Sequence, residues 1–200
     1  MEHTFSEKQT LDVLSQMAAH QSLTFGAACC ERMLPNYNVF VSEAGWRDSE
    51  PLQNALDVAW AACAGKVTSN VDLRKMLSQC EECAPDSEDF TSLYTTSAQD
   101  AVFAVCCLLD FLLDGDVACI VRIARLATDS VDLIVQEREG MDPRDPVREH
   151  KILEHPLMQQ ELVRQRRDLR DASHIAPGDR GALFAFRSRA QREPSLVAVT

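Results

Sequence analysis

The chain has 200 residues, a hydrophobic fraction of 46% and a formal net charge of −11, which suits one compact domain with a sizeable core. With 7 Gly, 8 Pro and few aromatics, the balance favours helices over sheets. The charge is uneven: residues 1–143 hold 9 Lys+Arg against 23 Asp+Glu, net −14, and residues 144–200 hold 11 against 8, net +3, so the acidic main body disfavours a phosphate backbone as partner.

Ser6 with Gln9 reads as a capping box, and Leu11, Leu14, Met17 and Ala18 follow at helical spacing, predicting a helix over 7–20. A second helix is expected from Ser22 to Leu34. Pro35 has no amide to donate and disfavours an α conformation at Leu34, so the sequence predicts a break there. Pro35 would open a short third helix with Tyr37, Phe40 and Val41, closed by Gly45 in a left-handed position. Asp48 and Pro51 suggest a new start, and Leu52, Leu56, Ala59, Trp60 and Cys63 form one stripe before Gly65. From about Asn70 the stripe is Leu73, Met76, Leu77, Cys80 and Ala84, stopped by Pro85.

The stretch 85–96 is acidic, rich in Ser and Thr, and reads as a loop. Ser97 with Asp100 resembles another N-terminal box, and the "AVFAVCCLLDFLLD" behind it is apolar nearly all round, as a helix at the centre of a bundle is. After Gly115, Asp116 caps a long amphipathic helix to about Glu139, whose face includes Ile120, Ala124, Ala127, Val131 and Ile134. Gly140, Pro143 and Pro146 mark a turn, and a final helical region over 147–171 is interrupted at Pro156. After Ala172 the pattern dissolves. The expected fold is all-α: an up-and-down bundle of about seven helices around one nearly all-apolar helix, forming a single domain over 1–171, with a weakly ordered, Arg-containing tail over 172–200.

The first ten residues, "MEHTFSEKQT", carry no basic-then-apolar leader. The longest apolar run, Ala101 to Leu109, is about half of what a membrane span needs. A cytoplasmic protein without a membrane segment is expected, with its eight cysteines reduced. Cys80-x-x-Cys83 has the spacing of half a zinc site or a redox pair, but no second matched pair exists. Cys80 also lies on an apolar stripe, where free cysteine packs as a small hydrophobe. The five histidines lack Glu-x-x-His and His-Glu-x-x-His spacing. Phosphate loops and nucleophile elbows are absent. No cofactor, metal set or catalytic residue is therefore assigned.

Three residues stand out as a functional or structural polar cluster: Glu31, Arg32 and Asp110. Glu31 and Arg32 adjoin Cys29 and Cys30 in "CCERMLPNY", and Asp110 interrupts the most apolar helix. At the Pro35 break, Glu31 and Arg32 are expected to bond the open backbone groups of a corner, and Asp110 to be partly buried. In the C-terminal region, Arg164, Arg166, Arg167 and Arg170 share one helix, and Arg180, Arg187 and Arg189 follow with Phe184 and Phe186 interleaved. Basic residues with aromatics can bind single strands. Interspersed Glu161, Asp168 and Asp171 favour instead a helix paired with the acidic body.

At "FGAACCERMLPNYNVFVSEAGW", 25–46, the chain resembles the YjaG-like family of bacterial proteins, a domain of unknown function. The resemblance continues through "LQNALDVAW", "TTSAQDAVFAVCCLLDFL" and "HPLMQQELVRQ", covering about 5–171, and leaves out the stretch after Ala172. It implies a helical bundle in a bacterial cytoplasm and supplies no catalytic residues. The reading is a non-catalytic module acting through a protein partner or self-association. Two alternatives stand beside it: a small-ligand binder or enzyme with a pocket in the bundle core, and a nucleic-acid-associated protein using the Arg-rich C-terminus.

Overall fold

A computed structural model describes residues 5–86 and 88–194, and these form helices and turns without a strand. The helices are α1 (Glu7–Leu14), α2 (Ala19–Ala44), α3 (Glu50–Cys63), α4 (Asn70–Glu81), α5 (Thr95–Asp114), α6 (Val117–Arg138), α7 (Arg148–Glu154), α8 (Pro156–Ala172) and α9 (Arg180–Arg192). The fold is all-α, as the sequence predicts, with nine helices among the described residues rather than seven.

Two helices form the centre. The α5 helix packs against α2, α3, α4 and α6, and α2 against α3, α5, α6, α8 and α9. Gly26 sets how closely α2 approaches: a Cβ there would lie 2.9 Å from Ile120 Cδ1 and 3.2 Å from Leu108 Cδ1. Among the described residues α5 alone is long and apolar enough to cross a membrane, and 67% of its most apolar stretch is buried against its neighbours.

Several boundaries follow local chemistry. Gly45 and Gly115 end α2 and α5 with φ of 65° and 73°, a conformation that costs glycine little. Asp116 accepts from Ala118 N at 2.9 Å and caps α6. His155 closes α7 and, with Pro156, opens α8. Ser97 and Asp100 do not form a cap. The helix begins two residues earlier, at Thr95, and Asp100 Oδ2 instead accepts from Ser130 Oγ on α6 at 2.7 Å.

Three expectations are corrected. The α1 helix stops at Leu14, because Gln16 N and Met17 N turn to carbonyls three residues back, and α2 starts at Ala19. Pro35 breaks nothing: α2 runs through it as one helix of 26 residues. An interior proline costs about 3 kcal/mol. Burying large side chains such as Met33, Leu34, Tyr37 and Phe40 contributes roughly 1.5–3 kcal/mol each and outweighs it. The presumed weak tail contains α9, capped by Asp179 on Ala182 N at 2.9 Å, with Leu183, Phe186 and Ala190 buried. Residues 195–200 of that tail lie outside the described residues.

Candidate functional site

Glu31 and Arg32 project from the middle of α2 into the packing of α3, α8 and α9. Arg32 is 1% exposed. Its Nη1 contacts Asp168 Oδ2 on α8. Its Nη2 lies 3.5 Å from Glu161 Oε1 on the same helix and 3.4 Å from Cys29 Sγ. Burial alone would lower the Arg32 pKa; the Glu161 and Asp168 carboxylates overcome it and hold the guanidinium charged. Asp168 Oδ1 then receives Arg189 Nη2 from α9 at 2.9 Å and Arg167 Nη2 at 3.1 Å. Arg167 reaches on to Glu193, and Arg189 to Asp171.

Glu31 works on the other flank. Its Oε2 accepts from Trp60 Nε1 of α3 at 2.8 Å, and its Oε1 from Gln191 Nε2 of α9 at 2.8 Å. Arg187 Nε stands 3.2 Å from Glu31 Oε2, while Arg187 Nη2 pairs with Asp57 of α3. Two neighbouring α2 residues thus gather α3, α8 and α9. The expectation that they bond freed backbone at a corner is overturned, because there is no corner. Chemically the cluster is a clamp. Its carboxylates accept from guanidinium, indole or amide groups, and burial pushes the Cys29 thiol up to about 12, so it stays protonated.

A family model described as "Protein of unknown function (DUF416)" matches residues 9–194. The chain belongs to the DUF416 family. The match includes α9, which the resemblance read from the sequence leaves out. Uncharacterized protein YjaG of Escherichia coli is 28% identical over 149 residues, covering 74% of each chain. An uncharacterized protein of Haemophilus influenzae is 28% identical over 152 residues, again covering 74% of each. The crystal structure of a DUF416 family protein from Shewanella baltica matches with a TM-score of 0.82 at 24% identity, over 91% of this chain and 93% of that one, a likeness of fold.

The motif by which the DUF416 resemblance is read is largely structural here. The Tyr37 hydroxyl lies 3.1 Å from the Cys83 carbonyl and 3.0 Å from that of Arg47, and Trp46 Nε1 donates to Cys83 O at 2.9 Å. The motif therefore pins the turn after α4. Cys80 and Cys83 are buried, with Sγ atoms facing the Pro51 and Gln79 carbonyls at 3.6 and 3.4 Å. Asn36 is fully buried and, among the described residues, neither of its side-chain amide atoms has a hydrogen-bond partner.

Asp110 does not join Glu31 and Arg32. It is partly exposed on α5, and its pKa is raised by burial and by Asp114 and Glu81, against Arg122. The more deeply buried carboxylate is Asp100, 8% exposed. Burial pushes it up to about 6, against the Ser130 hydrogen bond. Its place in the sequence resembled a cap, which hid it. His20 Nε2 lies 3.0 Å from the Ile175 carbonyl.

Proposed function

We propose that this protein is a non-catalytic interaction module, a cytoplasmic helical bundle whose ion-paired interior holds a docking surface in shape. One observation carries the reading: large apolar side chains stand in solvent, two of them four residues apart around the start of α4. Val67 is 90% exposed, Val71 78% and Phe184 75%. Lys66 joins their surroundings. It lines one depression with Ala61, Ala64 and Arg180, and an adjoining one with Ala62, Val67 and Leu73. On α9, Arg180, Phe184 and Arg187 share a face by their spacing, and Arg187 pairs with Asp57, so Phe184 lies along α3 between the two. Exposed apolar patches of this kind mark interaction surfaces.

The core-pocket alternative finds no support at Glu31 and Arg32, which are consumed by internal partners. The nucleic-acid alternative loses Arg167, Arg187 and Arg189 to intramolecular pairs. Light scattering on the full chain and capture of partners from bacterial lysate test the proposal. An association weakened by Val67→Asp or Phe184→Asp is expected. A strict monomer that captures nothing would overturn it.

A further inference from the structure

We infer that the surface around Val67 and Val71, at the turn into α4, docks an acidic segment of a partner protein that carries apolar side chains among its carboxylates. The inference rests on the interaction-module reading and adds the partner's chemistry. Residues 1–143 contain only 9 Lys+Arg, yet Lys66, Arg74 and Lys75 fall within ten residues of one another, flanking Val67 and Val71 in the chain. Val71, Arg74 and Lys75 are at i, i+3 and i+4 of α4, hence on one face, and all three are exposed. Arg180 adds a fourth cation beside Ala61 and Ala64. Most other arginines here hold a carboxylate; among the described residues, none of these four makes an ion pair. The nearest acid on α4, Asp72, is engaged with the Ser69 hydroxyl at 2.6 Å.

Unpaired cations interleaved with exposed valines match carboxylates interleaved with apolar side chains. The net charge of −11 does not forbid this, because screening confines the interaction to about 8 Å at physiological salt. A short acidic segment meets only the local patch. A long polyanion would also run over the surrounding acidic surface, which argues for a peptide rather than nucleic acid.

The test uses the full chain and a fluorescent peptide of about 14 residues, Glu and Leu at helical spacing. Controls are the same peptide with Lys for Glu, a single-stranded oligothymidylate, and phosphatidylserine vesicles. Anisotropy should show binding of the Glu peptide alone, weakened at least about threefold between about 50 and about 200 mM salt. Arg74→Glu with Lys75→Glu should weaken it at least about tenfold, and Val71→Ser should weaken it at unchanged salt sensitivity. Circular dichroism confirms that each variant is folded. Equal binding of the Lys peptide, binding of the oligonucleotide or vesicles in its place, or indifference to the charge reversal would overturn the inference. If the Glu peptide fails while light scattering still shows an association lost in Val67→Asp, the acidic chemistry is wrong and the docking surface stands. If both fail, the interaction-module reading falls too.

Discussion

Removing Arg32 tests the clamp. In Arg32→Ala, Glu161 and Asp168 stay buried at 4% and 1% exposure and lose the cation between them. The two losses are unequal. Asp168 keeps Arg167 and Arg189, whereas Glu161 keeps the Gln165 amide at 2.9 Å. Breaking a buried pair from one side costs about 3–5 kcal/mol, with lost packing of the guanidinium stem included. For a chain of this size each kcal/mol shifts Tm by about 2–4 °C, so a fall of roughly 6–20 °C is expected by differential scanning calorimetry. Arg32→Ala combined with Glu161→Gln should recover part of it, because the stranded charge is gone. Arg32→Lys should fall between, since an ammonium is a single point charge that cannot fork to two carboxylates. A fall below about 2 °C in Arg32→Ala, or no recovery in the double variant, refutes the idea that this guanidinium compensates those carboxylates.

Asp100 should make stability pH-dependent. Its folded pKa of about 6 lies above the ordinary 3.8, so its contribution is complete below about pH 4 and is lost as pH rises through about 6, reaching a burden of roughly 3 kcal/mol near neutrality. Asp100→Asn should therefore be the more stable protein in urea at about pH 7.5, with the gain vanishing near pH 4; an equal difference at both values would refute this. Thiol titration with Ellman's reagent at about pH 8 should label the native protein slowly and at Cys119 first, because the other seven cysteines are buried and Cys119 itself is raised to about 11 by burial. Fast labelling of Cys80 or Cys83 would count against their structural role. Arg187→Ala releases α9 from Glu31 and Asp57, so amide exchange in residues 180–192 should accelerate at least about fivefold while α5 stays protected. Uniform acceleration would mean that α9 is not a separable clamp.

Much of the helix pattern was legible because punctuation and periodicity agreed: Gly45, Gly115, Asp116 and Pro156 each mark a real boundary. Pro35 misled because a local rule was weighed without the side chains that tertiary packing buries on both sides of it. The α9 helix was overlooked amid Pro177 and Gly178, although Asp179 before Leu183, Phe186 and Ala190 gives a cap and a stripe. Glu31 and Arg32 stand out in the sequence, but their partners could not be read: Trp60, Glu161, Asp168 and Gln191 lie far along the chain, and no spacing rule links them. Asp110 drew notice by interrupting an apolar run, yet a run does not tell which face meets solvent. Asp100 and Asn36 carried no sequence signal of burial at all.

The span between Arg32 and Asp168 is 136 residues. At a synthesis rate of about 5–20 residues per second, Arg32 leaves the ribosome roughly 7–27 s before the carboxylate it must meet. Through that interval the nascent α2 carries a guanidinium that belongs in an interior not yet complete. The core cannot close stably until α8 has emerged, so assembly waits for that helix. Chains interrupted before α8 would remain open to proteases, and the cell would discard unfinished copies in preference to finished ones.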